Sequence, residues 1–283
     1  MIVSQLCVYP LKSAQGIALQ QAQVTKKGLL WDRELMLISG SGKFITQRQF
    51  PQLAQVQVAI GSQNIITLSS SNNLISPLSF PSTVNSLSVE VEIWRDRILA
   101  IDQGDSVAQW FHQLLNLPSD KVCRLVRQSA NQIRLLSKKH PGDEDHPLGF
   151  ADNSPVMLTA SASLTELNQR IMEIHQQQRQ AIPMNRFRAN IVISTTVPFV
   201  EDSWSLIQIG EVEFEVTKPC SRCIITTIDQ QQGEKNQLKE PLNTLGTFRQ
   251  LSEQGVMFGV NMIPQNEGTI SIGDRLIVLK TRD

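Results

Sequence analysis

Short segments in which apolar and polar residues alternate constrain the fold of this chain more than any other feature. The segments LSVEVEI (87–93) and EVEFEV (211–216) place every second side chain on one face, as half-buried strands do. Six further segments predict strands, several of them bounded by Gly, Asn or Ser: IVSQLCV (2–8), RELMLIS (33–39), QVQVAI (55–60), NIITLS (64–69), ANIVIS (189–194) and RLIVLK (275–280).

Three helices are predicted between these strands, so the fold class is α+β and rich in strand. One begins near Asp105 and stops at Pro118, a second begins at Ser163 with Glu166 completing a capping box, and a third opens at Pro241. The second helix is expected to pack its apolar stripe in the core. The apolar faces are Val107, Trp110, Phe111, Leu114 and Leu115 in the first helix, Leu164, Leu167, Ile171 and Ile174 in the second, and Leu242, Leu245, Phe248 and Leu251 in the third.

The length of 283 residues is sufficient for two domains that each bury a core. A long polar segment that contains Pro and Gly (128–150) is predicted to be a crossing loop, and we place the domain junction before it, with domains at 1–118 and 119–283. Within this loop, HPGDEDH (140–146) brings two histidines and three acids together. The flanking prolines and adjacent acids are more typical of a solvated loop than of a metal site.

The charge balance limits the kinds of partner. The 26 Lys and Arg residues equal the 26 Asp and Glu residues in number, which argues against a broad nucleic-acid or membrane surface and leaves a focal anion site. No apolar run approaches the ~18 residues of a membrane span, and the first residues lack the features of a signal peptide. We therefore expect a cytoplasmic protein, in which four cysteines form no disulfide framework.

The pair Cys220 and Cys223 admits four interpretations. A structural zinc site needs four ligands, and the chain has no second C-x-x-C and no H-x-x-x-H. A redox dithiol normally precedes a helix, whereas IITTI after Cys223 predicts a strand. One cysteine can instead be a thiolate ligand of a soft metal, with the adjacent cation Arg222 favouring the ionised sulfur. The fourth interpretation is a pair of inert buried thiols.

Polar clusters mark several predicted strand ends. They occur in YPLKS (9–13), GLLWDREL (28–35), FADNSPVML (150–158) and NRFRANIVIS (185–194). Each cluster alone is typical of a turn, but together they suit a phosphorylated heterocycle, because cations and oriented donors can converge where strands end. The cations are Lys12, Arg33 and Arg188, and the hydrogen-bonding groups are Ser13, Asn153, Ser154 and Asn190.

An ordered series of motifs resembles a known family over nearly the whole chain. The β-barrel domain that precedes many MOSC domains is matched by YPLKS, GLLWDREL and GKFITQRQFPQLA. The MOSC domain itself is matched by DNSPVML, SLTELN, NRFRANIVI, EDSW, CSRCIITTID, KEPLNTL and GTISIGD. Among its members the chain is similar to the mitochondrial amidoxime-reducing component and bacterial YcbX proteins. The resemblance implies an N-terminal β-barrel-like domain followed by a MOSC β-barrel domain with a few packed helices.

The resemblance also implies a molybdenum cofactor, with molybdenum held by a molybdopterin and by a cysteine that matches Cys223. Cys223 would then be the metal ligand and the catalytic residue, and Cys220 a neighbour. Asn261 stands where close relatives carry an aromatic residue near the metal, so substrate preference can differ. The implied cofactor-binding residues are Lys12, Ser13, Arg33, Asp152, Asn153, Ser154, Arg188, Asn190, Ser221, Arg222 and Asn261.

The activity implied by the resemblance is reduction of N-hydroxylated compounds. Electrons would come from a separate donor protein with a flavin, iron–sulfur or haem carrier, since the chain shows neither the ferredoxin domain nor the membrane anchor of some relatives. A low-pKa thiolate at Cys223 would equally suit a cofactor-binding module or a carrier of persulfide sulfur, and a structural C-x-x-C domain is a third possibility.

Overall fold

Most of the described part of the chain forms short strands. The computed structural model describes residues 1–72, 75–84, 86–129, 134–136, 146–176, 181–252 and 255–282. The strands are β1 Ile2–Val8, β2 Ile17–Leu19, β3 Gln21–Thr25, β4 Gly28–Leu29, β5 Leu35–Ser39, β6 Val56–Ile60, β7 Ile65–Ser70, β8 Leu78–Pro81, β9 Ser88–Ile93, β10 Asp96–Asp102, β11 Cys123–Gln128, β12 Arg134–Leu135, β13 Pro147–Leu148, β14 Val156–Ala160, β15 Ile191–Ser194, β16 Trp204–Ile209, β17 Val212–Ser221, β18 Gln250–Leu251, β19 Gly255–Pro264, β20 Gly268–Ser271 and β21 Leu276–Thr281.

Three α-helices accompany these strands in the described residues, so the predicted α+β, strand-rich class is confirmed. They are α1 Asp105–Leu114, α2 Ser161–Ile174 and α3 Leu242–Phe248. The described ranges also contain five short 3-10 helices, at Pro51–Gln55, Ser62–Asn64, Met184–Phe187, Val200–Ser203 and Ile224–Thr227.

The largest sheet has the strand order β2-β1-β15-β14-β19-β17-β16-β21, and β18 pairs with β19. Its neighbouring strands are antiparallel except for β14 and β15, which are parallel. In β17 the side chains of Val212, Phe214 and Val216 are buried in the core of this sheet, and the glutamates between them are exposed. The predicted alternation of apolar and polar residues therefore explains why one face of this strand packs on the core.

Smaller sheets complete the fold. Their orders are β5-β11-β10-β9, β6-β7-β8, β20-β3-β4 and β12-β13. A second core, with Leu35, Leu68 and Phe111 among its members, packs β5 and β7 together with α1. All five apolar residues predicted for the first helix are buried, which confirms that face.

Strands pair across the position where we divided the chain. Strand β1 pairs with β15, β3 pairs with β20, and β11, which follows residue 118, pairs with β5 and β10. Residues far apart in the chain are thereby held side by side. The division at residue 118 stays a prediction.

The second helix differs from its prediction at its start and at one residue of its apolar face. It begins at Ser161, and Ser163 is fully buried inside it, with its hydroxyl donating to the Glu201 carboxylate. The capping box was therefore wrong: Glu166 accepts a hydrogen bond from Arg170 one turn later. Leu167 and Ile171 do pack in the core, but Ile174 is 53% exposed because the helix ends there.

Two further segments differ from their predictions. The third helix ends at Phe248, and Leu251 lies in β18, 43% exposed. The segment IITTI is a 3-10 helix over Ile224–Thr227 instead of a strand. Its threonine hydroxyls donate to carbonyl groups three residues earlier, and such local bonds compete with strand pairing.

Most of the predicted crossing loop, including residues 140–145 of the candidate metal run, lies outside the described residues. Among the helices that are described, none is both long enough and apolar enough to cross a membrane.

Candidate functional site

A solvent-open cavity of about 130 Å³ lies at one edge of the large sheet. The predicted site residues all line it, although they come from widely separated parts of the chain. They are Lys12, Ser13, Arg33, Asp152, Asn153, Ser154, Arg188, Asn190, Ser221, Arg222, Cys223 and Asn261. The structure brings these residues together, and their roles stay predictions.

Strand direction explains why these segments meet. Strands β14 and β15 are parallel, with Leu158 opposite Ile191, so the residues that precede each strand lie at the same edge. Strand β1 is antiparallel to β15, with Leu6 opposite Ile191, so its carboxyl end lies at that edge as well. Asn261 on β19 lies opposite both Met157 and Lys218, which places it between β14 and β17.

Lys12 contributes a buried cation to the cavity. Its ammonium group donates to the carbonyl of Phe150 at 2.8 Å and to the carboxylate of Asp152 at 2.5 Å. The indole Nε1 of Trp94 donates to the same carboxylate at 2.9 Å. Desolvation opposes ionisation of Asp152, but the charge and hydrogen bond of Lys12 outweigh it, and the pKa of Asp152 is well below its usual value. Asp152 is therefore an anion that balances Lys12.

Two guanidinium groups stack on the ring of Tyr9. Arg33 lies 4.4 Å and Arg188 4.2 Å from the ring centroid. Burial alone would lower the pKa of Arg33, but the ion pair with Asp32 raises it. Burial and the charge of Arg33 lower the pKa of Arg188 to about 10, so Arg188 remains a cation at neutral pH.

Three of the predicted cofactor-binding residues have a left-handed backbone. The φ angles are 72° for Ser13, 49° for Arg33 and 54° for Arg188. Residues other than glycine adopt this conformation at a cost of ~1–3 kcal/mol, and such strain concentrates at functional sites. The strain at these three cavity residues is consistent with a ligand site.

Ser154 and Asn190 use their polar atoms inside the protein. The hydroxyl of Ser154 donates to the carbonyl of Met262 at 2.7 Å. The amide of Asn190 accepts from Arg33 Nη1 and from the backbone N–H of Met157, and donates to the carbonyl of Cys7. These two side chains therefore hold the wall of the cavity. Asn153 and Ser221 are exposed.

The Cys223 sulfur lies at the cavity wall with a cation beside it. Arg48 Nη2 donates to Cys223 Sγ at 3.3 Å. The Cys223 carbonyl accepts from the backbone N–H and from the hydroxyl of Thr226, which fixes the turn into the 3-10 helix. Cys223 is partly exposed and Cys220 is buried, so the two thiols lie in different environments.

The expected role of Arg222 beside Cys223 was wrong. Arg222 Nη1 contacts the sulfur atoms of Cys220 at 2.9 Å and of Met157 at 3.2 Å, and Nη2 donates to the carbonyl of Phe187. Strand β17 runs to Ser221, and successive side chains of an extended chain point to opposite sides. Arg222 therefore shares a side with Cys220, and its guanidinium group contacts the Cys220 sulfur.

Residues not singled out from the sequence also line the cavity. Arg48 is the most important of them because of its contact with Cys223, and its only sequence signal was its place in GKFITQRQF. Trp94, which contacts the lining residues Arg48 and Asp152, carried no signal in the sequence. The other lining residues outside the predicted set are Thr46, Ala151, Met157, Phe187, Ile225 and Thr226, together with Cys220, which was expected only as a neighbour of Cys223.

The donors of the cavity fit an anionic ligand rich in acceptors. Within the described part of the chain, Arg188 Nη2, Arg222 Nε and Asn261 Nδ2 are buried without a hydrogen-bond partner. An unpaired buried donor costs ~1–3 kcal/mol, so a ligand that accepts from it stabilises the protein. Arg48 adds a further cation to the cavity wall, where it contacts the Cys223 sulfur and helps to lower the pKa of Asp152.

The fold and this cavity define a protein of the MOSC class. Residues 1–118 match the family model of the MOSC N-terminal beta barrel domain, and residues 145–277 match that of the MOSC domain. The chain is 32% identical to Mitochondrial amidoxime-reducing component 1 of Mus musculus over 297 residues, which are 98% of this chain and 82% of that protein. The chain therefore belongs to the family of MOSC-domain proteins that includes the mitochondrial amidoxime-reducing components, as the motifs predicted.

Two other relatives show the range of the family. The human protein of the same description is 32% identical over 304 residues, with 98% of this chain and 82% of that protein covered. Molybdenum cofactor sulfurase of Oryza sativa subsp. japonica is 30% identical over 269 residues. That match covers 91% of this chain but 32% of the sulfurase, so the chain corresponds to about a third of it.

Proposed function

We propose that this protein is a molybdenum-cofactor-dependent reductase that cleaves the N–O bond of N-hydroxylated compounds. The relatives named for amidoxime reduction match nearly the whole chain, which supports this activity. When bound, the cofactor would supply the two-electron chemistry of the bond cleavage. The observation that carries the proposal is the sulfur of Cys223 at the wall of a cavity lined by five cationic side chains.

Different residues of the chain would bind the metal and the pterin of the cofactor. Cys223 would hold the metal through its thiolate, and molybdenum accepts such soft ligands. Arg188 and Arg222 would hold the anionic pterin and phosphate through their unpaired nitrogen atoms. The charge of Lys12 is balanced by Asp152, so the pair adds no net charge to the cavity. Lys12 would instead contribute oriented N–H donors to the site.

The remaining predicted residues line the same wall and would complete the binding site. Ser13, Asp152, Asn153, Ser154, Asn190, Ser221 and Asn261 surround the cavity together with Arg33. Asn261 is 4% exposed, and within the described residues its Nδ2 is buried without a hydrogen-bond partner, so it would gain from a ligand acceptor. An amide here offers directional hydrogen bonds that an aromatic side chain would not, so it favours polar substrates.

The proposal is tested on protein produced in a host that synthesises the cofactor. Elemental analysis should find about one molybdenum atom per chain, and acid oxidation should release a fluorescent pterin. With an artificial electron donor, the protein should reduce benzamidoxime. Cys223→Ala should reduce turnover to background, because the metal loses its protein ligand.

Cys123→Ala is the matched control. Cys123 is buried in the core between β11 and α1, outside the cavity, and its loss should cost some stability without affecting turnover at 25 °C. Full activity in Cys223→Ala would remove Cys223 from the mechanism, whereas loss of activity in Cys223→Ala alone supports its role.

The electrons would be delivered by a separate protein. Among the described residues, no group of three or more Cys, His, Asp or Glu side chains is arranged to hold a metal ion. We propose a donor that carries a flavin, an iron–sulfur cluster or a haem, acting on a protein located in the cytoplasm.

The similarity to molybdenum cofactor sulfurases supports a second candidate. In this alternative, the chain binds the cofactor or carries sulfur as a persulfide on Cys223, whose sulfur is partly exposed beside Arg48. Mass spectrometry would then find a labile extra sulfur on Cys223, and the protein would show no reductase activity.

A further inference from the structure

We propose that Trp94 is a stacking platform beside the cavity that selects flat aromatic substrates over aliphatic ones. This inference rests on the proposed reductase function and names the substrate class that the site would favour. Trp94 lies in the turn between β9 and β10, at the tip of a hairpin.

The backbone conformation and the exposure of Trp94 are both unusual for a tryptophan. Its φ angle is 57°, a conformation that hairpin turns normally assign to Gly, Asn or Asp. The side chain is 45% exposed, so the protein gains little of the burial that usually stabilises a tryptophan. A large aromatic residue at a strained and exposed position indicates a functional constraint.

Three contacts fix the indole beside the cavity. Its Nε1 donates to Asp152 at 2.9 Å, and the guanidinium group of Arg48 lies 5.1 Å from the ring centroid. Phe44 packs against it with a centroid distance of 5.2 Å and an interplanar angle of 52°. The orientation of the ring is therefore set by residues of the N-terminal half and by one residue of the large-sheet edge.

Arg48 connects this aromatic surface to the sulfur of Cys223. The same guanidinium group that lies over Trp94 donates to Cys223 Sγ at 3.3 Å. A flat ring that stacks on the indole would therefore lie next to Arg48, whose guanidinium group contacts Cys223. An aliphatic substrate lacks a π face and gains little from this surface.

Substrate pairs test the platform directly. Trp94→Ala should raise the KM for benzamidoxime three- to tenfold relative to the KM for acetamidoxime, which corresponds to about 0.65–1.4 kcal/mol and matches the usual worth of an aromatic pair. Trp94→Phe keeps a ring and loses the Nε1 donor, so it should stay close to the native ratio. Leu99→Ala, at a 44% exposed position on the same hairpin, is the control for loss of an exposed apolar side chain and should leave the ratio unchanged.

Equilibrium dialysis of benzamidoxime gives a readout that does not require turnover. The dissociation constant should rise three- to tenfold in Trp94→Ala and little in Trp94→Phe.

Equal changes of KM for both substrates, or a Trp94→Phe variant as impaired as Trp94→Ala, would overturn the platform, because Trp94 would then act through Asp152. Binding that depends on the ring in a protein without reductase activity would support the platform and remove the reductase. An unchanged KM ratio in an active Trp94→Ala variant would overturn the platform and leave the reductase in place.

Discussion

The side chain that contacts the sulfur of Cys223 belongs to Arg48, 175 residues earlier in the chain. Adjacency in the sequence had pointed to Arg222, but neighbours on an extended segment face opposite sides. Residue type was informative here, since a cation does lie beside the thiol. Which cation it is depends on long-range packing, and a single sequence does not contain that information.

Lys12 and Asp152 show how charge at the cavity couples to pH. Lys12 is buried and the Asp152 side chain is 42% exposed. Desolvation raises the pKa of Asp152, but Lys12 lowers it further than that, so the pKa in the folded protein lies below that of the unfolded chain. A carboxyl group of this kind stabilises the fold above its unfolded pKa of about 3.9 and loses that contribution as the pH falls.

Asp152→Asn is therefore expected to lower the free energy of unfolding at neutral pH by about 1–2 kcal/mol, between the values for exposed and for buried pairs. The difference from the native protein should shrink as the pH falls from about 4 towards 2. Urea unfolding at several pH values measures this difference in the free energy of unfolding. Asp120→Asn, in an exposed pair with Lys121, should stay within ~0.5 kcal/mol of the native protein. A difference for Asp152→Asn that persists undiminished in acid would contradict the ion-pair explanation.

At the scale of elements, periodicity was a reliable guide where one face of a strand is buried. EVEFEV became part of β17 because its apolar residues reach the core and its glutamates reach solvent. IITTI failed as a strand because, within the described residues, its pairing is limited to an isolated bridge between Ile228 and Lys235. The hydroxyls of Thr226 and Thr227 bond to local carbonyl groups instead. The capping box failed because Ser163 found a buried partner in Glu201.

A buried pair of amide side chains, Gln47 and Gln230, joins the segment that carries Arg48 to the segment that follows Cys223. Gln47 is fully buried and Gln230 is 5% exposed, and their amides bond reciprocally with N–O distances of 3.1 Å. Gln47 also donates to the carbonyl of Ser13, and Gln230 to that of Ile228. The pair thus ties the segment that carries Arg48 to the segment that follows Cys223.

Gln230→Leu should lower the free energy of unfolding by ~1–3 kcal/mol, because the Gln47 amide then remains buried without its partner. Gln231→Leu is the matched control, since Gln231 is adjacent and exposed, and its effect should be within ~0.5 kcal/mol. Thermal or urea unfolding distinguishes the two. Equal effects of both substitutions would show that the amide pair does not hold these elements together.

At the scale of the whole molecule, the cavity is assembled from both ends of the chain. The lining residues come from both sides of residue 118: Lys12, Arg33 and Arg48 precede it, and Arg188 and Cys223 follow it. All five line the same cavity. Polar clusters at strand ends indicated that a site exists, and the motif series indicated which family. The strand ends that carry these clusters meet because of the strand order and register of the sheet. Long-range pairings such as β1 with β15 set that order, and local sequence patterns do not encode them.

The claim that Cys223 is the protein ligand of molybdenum is tested most directly by X-ray absorption at the molybdenum edge of the loaded protein. The account predicts a protein-derived sulfur neighbour of the metal that is missing in Cys223→Ser. The same sulfur coordination in the native protein and in Cys223→Ser would contradict it.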